Sequence, residues 1–221
     1  MIFPLMPEEL SFLIYNREFE ALLSARMKQT KDFFVFGCTV ALRVSDLFRL
    51  KWSNVRIVQD QYFLSIRSLK TNVDTLIKLP EYAIAIIKKY KKRQKGLLPS
   101  FSLSSINDGI KQLLEAAGFV QEVHIYRSQR GKTKPLFSSR KDRKFRFCDV
   151  ASSHTMRRTA ITTMLSLGMP EQLVRKISGH APASKEFFRY VIWAQAYQDR
   201  ESEKVFDLLK EKSTMAPTGI C

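Results

Sequence analysis

Apolar positions recur at helical spacing along most of the chain and switch to strand spacing in one central stretch. Leu10, Leu13 and Ile14 share one face of a helix predicted from about Pro7 to Arg26. The next run, FFVFGCTVAL, is apolar all round, which predicts a central buried helix over about Thr30–Leu42. Ser45 then caps a short helix that reaches Leu50. From Val55 to Leu79 the period changes. VRIVQ, YFLSI and TLIKL are short β-branched or aromatic runs separated by QDQ and KTNVD, and they predict a three-stranded antiparallel meander. Helices follow at about Glu81–Gln94 and Ile106–Ala117, the second closed by Gly118. Residues 121–150 are polar and basic, with VHIYR as one strand of a hairpin. Helices resume at about His154–Leu167, Pro170–Ser178, Ser184–Ile192 and Ala194–Lys212. Pro7-Glu8-Glu9, Pro80-Glu81 and Pro170-Glu171 read as helix openings, because proline suits the first helical position and a carboxylate there favours the dipole.

This pattern predicts a mainly α fold with a small antiparallel three-stranded sheet (α+β). It occupies one domain over residues 1–212, followed by a flexible tail at 213–221. With 221 residues the chain can bury a sizeable core. No apolar run approaches the roughly 18–20 residues that span a bilayer, and MIFPLMPEEL lacks the regions of a signal peptide. Cys38, Cys148 and Cys221 are odd in number and form no C-x-x-C, so neither a disulfide framework nor a zinc ribbon is expected, and a reducing cytoplasm fits. Cys38 lies in the apolar helical run and reads as a small core residue.

Charge changes the picture more than length does. Lys and Arg number 37 against 21 Asp and Glu, a net +16, which on a folded domain points to a polyanionic partner. Two stretches carry much of it. KKYKKRQK, residues 88–95, has six basic residues in eight. It reads equally as a helix end favoured by the dipole or as a phosphate-contacting face, with Lys88 and Lys92 as candidates. Residues 127–146 carry nine basic residues and one acid, Asp142. Such a loop repels itself unless something neutralises it, so Arg127, Arg130, Lys132, Lys134, Arg140, Lys141, Arg143 and Lys144 are candidate phosphate contacts.

The chemistry concentrates between Ser152 and Tyr190. His154 and Arg157 stand three apart on a predicted helix and project from one face. His180 follows Gly179, and Tyr190 comes ten residues later. Arginine holds an oxyanion with a rigid fork of donors, histidine donates to it or moves a proton, and tyrosine can attack phosphorus and form a covalent ester. Upstream, ALRVSDL supplies Arg43, and SLKTNVDTLIKLP places Lys70 at or beside a hairpin turn. A phosphodiester about to be cut joins these needs. The carboxylates are scattered rather than clustered as a Mg²⁺ site would require, so positive side chains are expected to do that work, with no metal and no cofactor. Taken singly, each residue has a plainer reading: a surface arginine, a turn lysine, a capping histidine, a residue after a glycine cap, a core tyrosine.

In that order, Arg43, Lys70, His154, Arg157, His180 and Tyr190 resemble the set of the tyrosine recombinase (phage integrase) family. Arg43 matches the arginine of A-L-R-x-S-[DE]-L, and Lys70 the hairpin lysine before Thr. His154 and Arg157 match H-x-x-R, His180 the G-H pair, and Tyr190 the nucleophile about ten residues later. The resemblance covers roughly residues 5–210. It implies a site-specific recombinase or integrase that cuts and rejoins DNA through a 3′-phosphotyrosyl intermediate without metal or ATP. Arg43 and Arg157 would clamp the non-bridging oxygens, Tyr190 would attack, His154 would help remove the phenolic proton and Lys70 would protonate the leaving 5′-oxygen. His180 would hydrogen-bond the phosphate, and Asp46 would orient a basic member of the site. A type IB topoisomerase-like enzyme and a DNA-binding protein of the same fold without turnover are the alternatives. Arg158 departs from family members that carry histidine there, and His124 is taken as structural. Family members usually carry a separate N-terminal helical domain; here the chain opens on the catalytic domain's first helix, so that domain is expected to be absent. Near the end, Val205, Leu208 and Leu209 share a face. That stripe packs either on its own domain or, as the family often does with a terminal segment, on a neighbouring protomer in a tetramer on DNA.

Overall fold

The computed structural model of the chain describes residues 3–67, 74–91, 96–129, 132–136, 144–181 and 183–213. For 127–129, 132–135 and 208–213 it describes the backbone alone. The fold is mostly helical, with a small antiparallel three-stranded sheet.

The predicted first helix is two helices, α1 (Pro7–Tyr15) and α2 (Arg17–Leu22). Asn16 separates them: its backbone is extended and its side chain accepts from the Phe19 N–H at 2.7 Å, capping α2. The second helix also starts earlier than expected. α3 (Ala25–Val40) begins at once after Ser24, whose hydroxyl accepts from the Met27 N–H, and it runs through the apolar stretch into the centre of the molecule. It ends at Ala41, which holds a left-handed conformation at φ 55°. α4 (Val44–Leu47) follows with Arg43 at its N-terminal boundary, so Arg43 rather than Ser45 stands at the cap.

The meander is as predicted. β1 (Val55–Val58) pairs with β2 (Gln61–Arg67), and β2 with β3 (Asp74–Lys78), with Leu64 opposite both Val55 and Ile77. Leu64, Ile66, Thr75 and Ile77 turn one face of the sheet to the core, while Leu76 points away. Lys70 lies outside the described residues.

α5 (Glu81–Tyr90) and α6 (Leu103–Ala116) cover the other side of α3. α6 starts earlier than predicted because Ser102 caps it, accepting from the Ser105 N–H. α5 is locked to α3 through buried Asp32, which accepts from the Tyr90 hydroxyl at 2.5 Å and pairs with Lys89 at 2.7 Å. Of the three proline openings, only Pro7 is inside its helix; Pro80 and Pro170 sit one residue before theirs.

Residues 121–150 do contain the expected hairpin, β5 (Ile125–Gln129) with β6 (Lys132–Leu136). β4 (Glu122–Val123) pairs separately with β7 (Phe145–Arg146), which leads into α7 (Phe147–Val150). The strand predicted at VHIYR is therefore shifted and divided around His124. α8 (Ser153–Ser166) and α9 (Glu171–Ser178) match their predicted positions. The two last predicted helices are one, α10 (Lys185–Ser213), 29 residues long, since no glycine or proline interrupts it at Trp193.

The core has two parts. The larger is built from α1, α3, α5, α6 and the sheet around Phe33, Phe34, Phe36, Leu64 and Ile110. The smaller gathers Ala41, Ala160, Ile161, Leu165, Val174, Phe187, Tyr190 and Ala194 where α8, α9 and α10 meet. Gly37 sets the crossing of α3 over α8: a Cβ there would come within 2.5 Å of Met156 Sδ and 3.1 Å of Met156 Cβ. The missing side chain lets the helix before Arg43 lie against the residue before Arg157.

Candidate active site

Arg157 is the fixed point of the site. It leaves α8 on the face that meets the ends of α3 and α9, and its side chain is only 8 % exposed. One terminal nitrogen donates to the Ala41 carbonyl at 2.6 Å and the other to the Ser178 carbonyl at 2.6 Å. Both acceptors are carbonyls that a helix end leaves without an intrahelical partner. The left-handed turns at Ala41 and Gly179 aim them inward. A single guanidinium thus joins three segments distant in sequence. Burial, and then neighbouring Arg43, pull its pKa down to about 10, so it stays charged at neutral pH.

The turn at Gly179 places His180. Its backbone N–H reaches back to the Arg175 carbonyl at 3.0 Å, and Arg175 braces the loop by donating to Ala181 O while lying over the Phe187 ring. The imidazole Nδ1 is 2.8 Å from Ser178 Oγ. That hydroxyl is 2.7 Å from the Val174 carbonyl and donates its proton there. The Nδ1–H then donates to Ser178 and Nε2 is left as the acceptor. Burial, with Arg157, Arg43 and Arg175 beside it, lowers the His180 pKa to about 3. The ring is neutral and can accept a hydrogen bond, but contributes no charge.

Tyr190 arrives from α10. Phe187, Tyr190, Ala194 and Tyr197 form the buried face of that helix, while Phe188 and Ile192 face outward. Further along, Tyr197 donates to Glu8 at 2.8 Å and Gln198 donates to the Leu165 carbonyl, pinning α10 to α1 and α8. The Tyr190 ring stands edge-on to His180, 5.9 Å between centroids. Burial raises its phenol pKa, and the Glu186 carboxylate adds to this. The charges of Arg157 and Arg158 act the other way.

These groups line one cavity of about 260 Å³ together with Arg43, Val44, Ser45, Ser153, His154, Arg158 and Glu186. Of the catalytic residues picked from sequence, Arg43, His154, Arg157, His180 and Tyr190 are brought together; Lys70 is outside the described residues. Asp46 is buried just behind, with a carboxylate oxygen 3.7 Å from Arg49, and its charge reaches Arg157. Arg158, Glu186 and Ser178 were not selected from the sequence. Arg158 had only its position beside Arg157 as a signal, and Glu186 only its place one turn before Tyr190.

The basic candidates are more dispersed. Lys88 is exposed on α5, its ammonium 5.0 Å from the centre of the Tyr62 ring. Lys144 pairs with Glu122 at 2.9 Å, and Arg146 with Glu115 and Asp149. Part of the 127–146 charge is therefore met by acids from α6, β4 and α7, which a count along the loop does not see. The Arg127, Lys132 and Lys134 backbones lie on the β5–β6 hairpin, while Lys92, Arg130, Arg140, Lys141 and Arg143 are outside the described residues. Among the described residues no group of three His, Cys, Asp or Glu side chains is placed to hold a metal, and no helix is long and apolar enough to cross a membrane.

The model of the Phage integrase family matches residues 13–192, most of the chain and every residue that lines the cavity. The chain belongs to the phage integrase (tyrosine recombinase) family. No curated protein matches its sequence. Among solved structures, this phage integrase family chain is similar to XerH site-specific recombinase in a post-cleavage complex with palindromic difH substrate. The TM-score is 0.60 at 14 % identity, over 91 % of this chain and 52 % of that one. It is also similar to XerA recombinase (TM-score 0.56, 21 % identity, 94 % of this chain and 65 % of that one). A lambda integrase dimer bound to a COC′ core site matches as well (0.55, 14 %, 85 % and 47 %). At these identities the likeness is one of fold. The chain spans about half the length of XerH and lambda integrase.

Proposed function

We propose that this chain cuts and rejoins DNA strands as the catalytic domain of a site-specific recombinase or integrase, through a 3′-phosphotyrosyl intermediate. The observation that carries this reading is the convergence of Arg43, His154, Arg157, His180 and Tyr190 on one cavity, with a phenol among arginines. Double-stranded DNA is the substrate this chemistry and the net charge of +16 fit.

In the proposed step the Tyr190 oxygen forms a bond to phosphorus while the bond from phosphorus to the 5′-oxygen breaks. The phenolic proton passes to His154, and the 5′-oxygen takes a proton from Lys70. Arg43 and Arg157 place positive charge where the non-bridging oxygens gain negative charge, which in such sites is worth on the order of 10²–10³ in rate per donor. Arg157 is already anchored through two of its N–H groups, so little reorganisation is left for the moment of reaction. His180 hydrogen-bonds the phosphate, which requires its ring N–H to turn from Ser178 to a phosphate oxygen. The phosphotyrosyl ester conserves the bond, and the 5′-hydroxyl of another strand reseals it. Assembly of protomers on DNA belongs to the same reading.

The test is a pool of nicked duplexes of random sequence incubated with the protein in EDTA and resolved under denaturing conditions. The expected result is a covalent protein–DNA band for the wild type and none for Tyr190→Phe, which still binds DNA. An adduct formed equally by Tyr190→Phe overturns the assignment.

A further inference from the structure

Arg158 stands beside Arg157 in the sequence, yet the two guanidiniums do different things. Arg157 turns inward to two backbone carbonyls. Arg158, half-buried one position on, lines the same cavity as Tyr190, and its charge favours the ionised phenol. Glu186 stands one turn before Tyr190 on α10 and lines the same cavity. We propose that Arg158 is a further catalytic residue: its guanidinium donates to the Tyr190 phenol oxygen, holds it toward the cavity and stabilises the phenolate as the proton leaves, with Glu186 as the opposing charge. This rests on the reading of Tyr190 as the nucleophile.

A phenol removed from water resists ionisation, and burial is the largest influence on Tyr190. The carboxylate of Glu186 makes that worse. Something positive must therefore meet the phenol oxygen itself, and Arg157, held by two carbonyls, turns its remaining N–H groups to the phosphate in the step above. The other groups lining the cavity are given other work: His180 is neutral, and Arg43, at the start of α4, serves the phosphate in the step above. The phenolic proton still goes to His154, and the bonds made and broken are those of the step above.

The experiment measures the rate of covalent adduct formation on the nicked pool as a function of pH, with the free protein's ¹³Cζ-tyrosine spectrum recorded alongside. Tyr190→Phe identifies the Tyr190 resonance. Arg158→Ala is expected to slow adduct formation about 10²-fold at neutral pH. The loss should shrink as pH rises and hydroxide replaces the missing help, and Arg158→Lys should recover part of it. Glu186→Gln, an exposed and sterically mild change, should move the rising limb of the profile to lower pH. The Tyr190 resonance should shift in Arg158→Ala while the other tyrosines stay in place. A loss equal at all pH values, or a Tyr190 resonance and rate unchanged in Arg158→Ala, overturns this proposal alone. A wild-type protein that forms no adduct overturns the parent reading, and this one with it.

Discussion

The two halves of the site are held in different ways. The arginine half rests on the large core: α3 and α8 cross closely at Gly37 and Met156, and Arg157 is tied to the ends of two helices. The tyrosine half rests on the small cluster around Phe187 and Ala194, with Tyr197–Glu8 and Gln198–Leu165 as its outer ties. Beyond Gln198, α10 leaves the body of the molecule, and Val205 and Phe206 are 56 % and 61 % exposed. A deep core gives a position that costs much to move; a shallow one leaves movement cheap. The groups that would meet a phosphate are thus fixed by the larger core, while the group that would attack it is carried by a helix seated on the smaller one.

Four changes test that difference. The largest effect is expected from Arg157→Lys. One ammonium cannot serve both the Ala41 and the Ser178 carbonyls, so one is left buried without a donor at a cost of about 1–3 kcal/mol. Adduct formation should fall on the order of 10²–10³. Denaturant unfolding and the covalent-band assay check the two parts. Next is Gly37→Ala, which should destabilise by about 1–3 kcal/mol through overpacking against Met156, offset by up to about 1 kcal/mol of helix propensity. If unfolding measurements show Gly37→Ala to be stabilising, the close crossing is not a constraint.

The third test uses pH. His180 holds a folded-state pKa of about 3, below its ordinary 6.5, so the unfolded chain takes up the proton first. The contribution to stability is complete above about pH 6.5 and falls as pH drops from there toward 3. His180→Gln should flatten the fall in urea midpoint between about pH 6.5 and 5, above the range where most carboxylates titrate. An unchanged slope would assign it to other groups. The smallest effect on stability is expected from deleting residues after Asp199. The cis ties at Tyr197 and Gln198 remain, so the melting temperature should barely change, while any higher-order assembly on DNA that uses the exposed end of α10 should be lost. A large fall in melting temperature would mean that the end of α10 packs in cis. The Leu208 and Leu209 part of that stripe lies outside the described side chains.

Local pattern and side-chain type settled a good deal of this protein. The alternating runs at Val55–Leu79 specified the meander and its buried face, because a period of two leaves one register that hides Leu64, Ile66 and Ile77. Arg43, His154, Arg157, His180 and Tyr190, picked in sequence order, are side chains that the fold brings to one cavity. Boundaries were less legible. Asn16 and Ser24 are capping residues inside a continuous apolar pattern, and their effect on α1, α2 and α3 depends on a side chain turning back to the backbone. Periodicity carries no mark where two helical patterns fuse, so α10 read as two helices. Tertiary structure alone decided which of two adjacent arginines turns inward to carbonyls and which only lines the cavity, that Ser178 fixes the orientation of His180, and that acids from distant elements meet Lys144 and Arg146. The reason is common to all three. Hydrogen-bond partners and desolvation are properties of where segments meet in space, and residues 41, 157, 178 and 190 come together only when α3, α8, α9 and α10 have packed.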